Sequence, residues 1–464
     1  MQTKRRNIKA WLLVIALSYG AFVAGSQLRD KEITSVAVKD SSVQASMLLK
    51  LMPECSPVSA VKPSADAGDN KELMSDVVKL LRSHYVEPIT GEREAELARG
   101  AVRGMLNSLD DIDSHFLDPT ERKLLDDAGL GKFHGIGAVL SLRHEKVRDL
   151  NVTKILVVAP MPGSPAEAAG LKPGDSITHL NGKWIITYDP FQEANVEKMA
   201  KDFVNKKIDE LTYKKAFEAA DKKLKDGMGI SDALDVLTAK TSGEANILVE
   251  RKGQIKPIEL KLQCKNTEIV PVSSRMLKNG VSYIRISQFS TRATKEFITH
   301  VNRVQSQSAK GIVLDLRNNP GGTMNSAAAV AGKLSGEGTL GTIQEKGRRS
   351  TVKMTSSKVV KLPIAILVNG GTSSVAELVA GTLREKGLAT LVGDKTFGDG
   401  LAQTPMLLKD GSAAVLTTGK MLTIKGYDFT GKGIQPDKQV PQSRQGDAQL
   451  DKAAGLILAK LGKA

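Results

Sequence analysis

Only two cysteines, Cys55 and Cys264, occur in the 464 residues. Two thiols so far apart build neither a four-ligand zinc site nor a C-x-x-C redox pair. In an oxidising compartment they can bridge the N-terminal region to the end of the β-rich segment, although Cys55 lies in a Pro- and Ser-containing stretch that reads as linker. Aromatic residues are only 4% of the chain, which argues against a stacking platform for single-stranded nucleic acid. No His/Glu pair stands at metal-ligand spacing and no G-x-x-x-x-G-K occurs, so metal-dependent hydrolysis and phosphate-loop chemistry are not expected, and no cofactor is implied. With 41% hydrophobic and 25% charged residues, a multi-span membrane protein is not expected.

What is present is ordinary globular usage: 41% hydrophobic and 25% charged residues rule out wholesale disorder and a collagen-like repeat. At roughly 100 to 200 residues per domain, the length predicts two to four domains. Lys plus Arg is 66 against 51 Asp plus Glu, a formal charge of +15, and Lys4, Arg5, Arg6 and Lys9 supply four of those charges before any folded domain begins. The rest is spread along the chain with a concentration over 201–225, a solvated basic surface suited to an anionic membrane or an acidic partner. No zinc, helix-turn-helix or RNA-binding signature accompanies the charge, so nucleic acid is not an expected partner.

The basic start is followed by the apolar run 10–25 (AWLLVIALSYGAFVAG), the pattern of an export signal. Val23 with Gly25, or Ala24, approximates the small-residue rule for cleavage, so a cleaved signal peptide and an uncleaved anchor both remain open. Either places the rest of the chain outside the cytoplasm, periplasmic or otherwise extracytoplasmic, and the uncut form would hold it at the inner membrane.

Periodicity divides the remainder into a multidomain α+β chain. Residues 1–30 are the signal or anchor and 31–70 a polar linker. Over 71–130 the spacing of Leu73, Val77, Val78, Leu80 and Leu81, then Ala101, Val102, Met105 and Leu106, predicts a helical N-terminal segment. From 131 to 265 short β runs such as GIGAVLSL, KILVVAPM and NILVERKG predict a compact β-rich module, interrupted over about 190–240 by a Lys/Glu/Ala-rich helical insertion. Between 266 and 442 strands (VSYIRIS, GIVLDLR, PIAILVNG, ATLVGD, AAVLTT) alternate with helices (STRATKEFITHVNRV, NSAAAVAGKL, SVAELVAGTLREKG), as in an α/β layered domain. Residues 443–464 read as a closing helix.

Two strand-to-helix junctions of that last domain carry chemistry-like residues. The first, Asp315-Leu316-Arg317-Asn318-Asn319-Pro320-Gly321-Gly322, ends a buried strand in a turn whose glycines leave backbone amides able to stabilise an oxyanion. The second, Asn369-Gly370-Gly371-Thr372-Ser373-Ser374-Val375-Ala376-Glu377, feeds a strand through glycines into a helix that starts near two serines. A serine there is either a plain N-cap or a hydroxyl exposed for chemistry beside a helix N-terminus.

Taken together and in order, these pieces resemble the carboxyl-terminal processing (tail-specific) serine peptidases, from about residue 73 to the C-terminus. Tyr85-Val86-Glu87-Pro88, Gly104-Met105-Leu106 and Ser108-Leu109-Asp110 are similar to that family's N-terminal segment. Phe133-His134-Gly135-Ile136-Gly137 and Ser164-Pro165-Ala166 through Gly174-Asp175 are similar to its PDZ domain. The peptidase core is matched by Tyr283-Ile284-Arg285-Ile286-Ser287-Gln288-Phe289, by both junctions, by Thr396-Phe397-Gly398 with Gly400 and Gln403, and by Gly431-Lys432-Gly433-Ile434-Gln435-Pro436-Asp437. The resemblance implies a PDZ-like β-rich module beside an α/β serine-peptidase core. It implies a nucleophile at Ser374, oxyanion amides at Gly321 or Gly322 and Val375, and a supporting Gln403. The loop Gly135, Ile136 and Gly137 would receive the carboxylate of a peptide that adds as a strand. The implied partners are exported proteins with accessible C-termini.

One position departs from the family. Its general base is a lysine in a Phe-Gly-Lys-Gly turn twenty-five residues after the serine, and this chain has Phe397-Gly398-Asp399-Gly400. A serine hydroxyl is a poor nucleophile unless a neighbour accepts its proton, and an aspartate is ordinarily a much weaker base than a desolvated lysine. Lys395 and Lys420 occupy ordinary family positions. Of the six histidines only His300 lies in the core domain, on a predicted helix. Two expectations follow: a peptidase with an unidentified base, or an inactive pseudo-peptidase that keeps the fold as a C-terminus-binding adaptor or regulator.

Overall fold

The computed structural model describes residues 70–238, 243–354, 359–443 and 446–462. The apolar run 10–25, the linker and Cys55 lie outside these residues. No described helix is long and apolar enough to cross a membrane.

The chain divides into two compact units, Met1–Leu97 with Ala194–Glu218, and Ala98–Glu193 with Ala219–Ala464. In the first, the helix Asn70–His84 forms where the periodicity predicts, with Leu73, Val77, Val78 and Leu80 all exposed. Arg82 pairs with Glu94, Arg93 pairs with Glu87, and the Arg93 guanidinium stands 5.2 Å from the Tyr85 ring centroid. In the inserted stretch of the same unit, Phe203 and Tyr213 stack with centroids 5.6 Å apart.

The second unit holds the β-rich module and the α/β core. The module is an antiparallel sheet in the order Ala138–Val147, Leu150–Pro160, Ser176–Leu180, Gly243–Glu250, Ile258–Cys264. Its inner face (Ile155, Val157, Ile177, Ile247, Val249) packs on Ala233 and Leu237 of the helix Ile230–Thr238. That helix falls inside the stretch expected as an insertion, yet it belongs to the module's core, because Ala233 and Leu237, one turn apart, present an apolar face to the sheet. Cys264 is buried at the end of the last strand, and burial pushes its thiol up.

The core sheet runs Val272–Met276, Ser282–Ile286, Ile312–Asp315, Ile364–Val368, Ala389–Gly393, Lys438–Gln439, parallel except for its first pair. Successive strand residues point to opposite faces and both faces are covered. Leu314, Ile366 and Val368 meet the helices Thr291–Ser306, Met324–Ser335 and Val375–Glu385. Val313, Ala365 and Leu367 meet Leu450, Ala453 and Ile457 of the closing helix Ala448–Leu461. A second, antiparallel sheet contains Leu401–Leu407, Ala413–Leu422, Gly338–Glu345 and Arg348–Met354, with His115–Leu117 at its rim.

Candidate active site

Ser374 stands between the strand Ile364–Val368 and the helix Val375–Glu385, at φ 56° and ψ −127°. A non-glycine residue held there stores roughly 1–3 kcal/mol of strain, and a sharp strand-to-helix turn of this kind lifts a serine hydroxyl clear of the backbone. Thr372 hydroxyl donates to the Leu316 carbonyl at 2.8 Å, Ser373 amide donates to the Asn319 carbonyl at 2.9 Å, and Asn369 Nδ2 donates to Asn318 Oδ1 at 2.8 Å. These bonds lock the two sequence junctions together. Ser374 is half-buried, and its neighbour Ser373 has a buried hydroxyl with no hydrogen-bond partner among the described residues.

The glycine junction comes directly against the serine: a Cβ on Gly321 would lie 2.8 Å from Ser374 Cβ and 3.3 Å from Ser374 Oγ. Gly322 is at φ +128°, and a Cβ there would meet the Phe289 carbonyl oxygen at 2.0 Å, so only glycine fits. The two amides differ. Gly321 already donates to Asn319 Oδ1 at 2.9 Å, whereas Gly322 and Val375 donate to no partner among the described residues. Of the expected oxyanion donors, Gly322 and Val375 are those left open.

Glu377 ties the serine turn to the turn that carries Asp399. Its fully buried carboxylate accepts from the Ser374 amide at 3.0 Å, from the Gly398 and Asp399 amides at 2.9 Å each, and from the Thr396 hydroxyl. Burial pushes its pKa up to about 7, against the pull of those same hydrogen bonds. With both oxygens occupied, Glu377 is a clasp and leaves no lone pair aimed at a substrate.

Asp399 is half-buried, and burial raises its carboxyl. Arg143, from the module strand Ala138–Val147, pulls it back down, while the charge of Asp113 pushes it up. Asp113 is itself raised by burial and lowered by Arg143, whose guanidinium lies 5.2 Å from the Phe397 ring centroid. A carboxylate, a guanidinium and a second carboxylate thus stand where the family lysine was expected. Arg143 and Asp113 escaped the sequence reading because each is remote in sequence and is brought there by tertiary packing alone. The bare Arg in SLRHEK and the acid run DDIDS carried no local signal.

The other candidates lie elsewhere. Lys395 is exposed, Lys420 pairs with Asp428 at 3.9 Å, and His300 Nδ1 is 2.6 Å from Ser274 Oγ. Among the described residues no lysine or histidine hydrogen-bonds Ser374. Gln403 follows Asp399 on the strand Leu401–Leu407 and is exposed. No group of three or more described His, Cys, Asp or Glu side chains is placed to hold a metal.

In the module, the loop of Gly135, Ile136 and Gly137 lies at the C-terminal end of the helix Ile230–Thr238. Ile136 amide donates to the Leu237 carbonyl at 2.9 Å, and a Cβ on Gly135, at φ +72°, would meet that carbonyl oxygen at 2.0 Å. Gly135 and Gly137 amides donate to no partner among the described residues. Among the described residues the strand that follows, Ala138–Val147, pairs only with Leu150–Pro160, so its other edge has no strand partner there.

A strained serine at a strand–helix junction, a facing glycine turn and an antiparallel module with an open edge define a serine-peptidase core carrying a peptide-binding module. Residues 280–440 match peptidase family S41 and residues 156–194 match the PDZ domain. The carboxy-terminal processing protease CtpA of Bacillus subtilis (strain 168) is 30% identical over 376 residues, 80% of this chain and 70% of that protein. The carboxyl-terminal-processing protease of Picosynechococcus sp. (strain PCC 7002) is 32% identical over 352 residues, 75% of this chain and 74% of that protein. The solved photosystem II D1 C-terminal processing protease shares the fold at TM-score 0.57 and 24% identity, covering 80% of this chain and 88% of that one. This chain belongs to peptidase family S41, among its carboxyl-terminal processing proteases.

Proposed function

We propose that this protein is exported and captures the C-terminal tails of other exported proteins through its PDZ module, while its peptidase centre is disarmed. A tail adding along the open edge of Ala138–Val147 would place its carboxylate at the amides of Gly135 and Gly137. The observation that carries the second half is Asp399 in the base position, with Arg143 and Asp113 as its charged neighbours. A serine needs a group that takes its proton in the transition state. The Glu377 carboxylate is committed to four donors, and the nearest-motif lysines, Lys395 and Lys420, are exposed. In this reading the protein holds tails as an adaptor or regulator.

A second reading is supported by the serine itself. Ser374 keeps its strained conformation beside an open Gly322 amide, and burial makes Asp399 a stronger base than an ordinary aspartate. Cleavage would then run through Ser374 with Asp399 accepting its proton and Gly322 and Val375 holding the oxyanion. The deciding experiment incubates the purified chain, beside its Ser374→Ala variant, with an unfolded protein that ends in an apolar tail. Binding by both without cleavage supports the adaptor. Cleavage that vanishes in Ser374→Ala overturns it in favour of a peptidase.

A further inference from the structure

The hairpin of Gly338–Glu345 and Arg348–Met354 closes one side of the second sheet and carries charge of nearly one sign. Between 345 and 353 stand Lys346, Arg348, Arg349 and Lys353, against the single acid Glu345. Arg348 is turned back onto Glu345 and pairs with it. Lys346, Arg349 and Lys353 are exposed and have no hydrogen-bond or ion-pair partner among the described residues. Elsewhere surface cations are matched, as Lys154 is by Glu145 and Arg292 by Glu268 and Glu296.

Strand pairing sorts these side chains by face. Met354 is buried and Val352 packs on the same core, so Arg349, Thr351 and Lys353 stand on the opposite, outward face. Arg349 lies across from Gln344, and Gln344 from Lys420, which brings Lys420 to that face two strands in from the edge. The ion pair of Lys420 with Asp428, at 3.9 Å, leaves its side chain more than half exposed. Arg349 and Lys353 are about 14 Å apart along their strand, and Lys420 stands about 10 Å to the side. Gln344 and Thr351 between them are polar. Charge on an edge strand keeps other strands from adding, but either sign does that, and Lys420 is not on the edge.

We propose that this face docks on an anionic lipid surface. Cations spread in two dimensions over a sheet face match a plane of phosphate headgroups, whereas an acidic strand added at the edge would meet Arg349 and Lys353 and miss Lys420. With polar side chains between the charges the contact is electrostatic, so it is weak by itself and falls with salt. Which leaflet it meets follows from the export reading; the contact itself does not depend on it, nor on whether Ser374 cleaves. Docked in this way, the peptidase core is held against the membrane by its second sheet.

The test sediments the full chain with vesicles of phosphatidylcholine alone, or with about one third phosphatidylglycerol, at about 0.1 M and about 0.5 M salt. The basic start and the apolar run 10–25 are present in every sample, so the comparison is between variants. One carries Lys346→Gln, Arg349→Gln and Lys353→Gln. A charge-matched control carries Lys198→Gln, Lys206→Gln and Lys222→Gln, at lysines that are likewise exposed. At the lower salt the hairpin variant is expected to bind the anionic vesicles roughly a hundredfold more weakly than the native chain, about fivefold for each cation lost. The control should keep most of the native affinity, all three should bind phosphatidylcholine equally, and thermal unfolding at the native temperature shows that the hairpin variant is folded. The inference falls if the hairpin variant and the native chain bind anionic vesicles alike, if the control loses as much, or if the native preference for anionic vesicles survives the higher salt. If labelled polyglutamate binds the native chain but not the hairpin variant while vesicles hold both equally, the face belongs to an acidic protein and the lipid assignment is overturned.

Discussion

At the scale of the residue, the proposed loss of cleavage turns on Asp399. Its replacement by lysine would place an amine beside Arg143 and Asp113 and between the Gly398 and Gly400 turn residues, where burial and Arg143 lower an ammonium and the Asp113 carboxylate opposes them. Asp399→Lys is expected to confer, or raise by about 10² to 10⁴, serine-dependent cleavage of an apolar-tailed protein, the usual contribution of a general base. The check is the cleavage rate of the single variant against the double variant that also carries Ser374→Ala. Glu377 gives a prediction of another kind. Its folded pKa, about 7, lies above the ordinary 4.5, so the folded chain holds the proton more tightly than the unfolded one. The stability this confers is complete below about pH 4.5 and is lost as pH rises through about 7. The 2.5-unit difference corresponds to about 3 kcal/mol. Urea unfolding at pH 5 and pH 8 should show the native chain losing more stability across that interval than Glu377→Gln, whose side chain does not titrate.

At the scale of the element, the helix Ile230–Thr238 supports both the module's core and the loop Gly135–Ile136–Gly137. Leu237 is fully buried and its carbonyl holds Ile136. Leu237→Ala is expected to cost about 2–5 kcal/mol by emptying that core position, read as an earlier denaturation midpoint together with weaker tail binding. The helix Pro119–Gly129 is set by its capping box, and Asp118→Ala should cost about 1 kcal/mol. These two helices also show what the sequence made legible. The strands of the core and the two junctions could be read locally, because apolar runs closed by glycines fix where a strand ends and a helix begins. The serine pair Ser373–Ser374 and the glycine pair Gly321–Gly322 were visible in that way, while the choice of Ser374 came only from the family resemblance. The membership of Ile230–Thr238 in the module was not, because its short apolar face is preceded by a long charged stretch and meets its partners only across the fold. The same holds for Arg143, Asp113 and the Glu377 clasp: their roles arise from contacts between segments remote in sequence, for which no spacing exists to be read. The Gly321 amide was misjudged as open for a subtler reason, that a side chain two residues away, Asn319, turns back to accept from it.

At the scale of the molecule, the closing helix is joined to the core by charge as well as by packing. Arg317, just beyond the strand Ile312–Asp315, reaches Asp315 at 2.6 Å and Asp447 at 2.8 Å, and also donates to Gln449 at 3.0 Å. Asp315 is 1% exposed and accepts a further bond from the Tyr283 hydroxyl at 2.8 Å, so its charge is nearly out of water. Burial and the charge on Asp315 together push the Tyr283 hydroxyl well above its ordinary range. Asp447 in turn caps the closing helix, accepting from the Leu450 amide at 3.1 Å. Removing the guanidinium therefore leaves a buried carboxylate without its cation and loosens the first turn of the helix that covers Val313, Ala365 and Leu367. Breaking one side of such a buried pair typically costs about 3–5 kcal/mol, whereas replacing the whole cluster by apolar residues need not. Arg317→Ala is thus expected to lower the unfolding free energy of the core by that amount. Arg317→Lys, which keeps the charge but not the planar fork, should recover only part of it. If the two variants unfold at the same denaturant concentration as the native chain, the closing helix is held by its apolar face alone, through Leu450, Ala453 and Ile457.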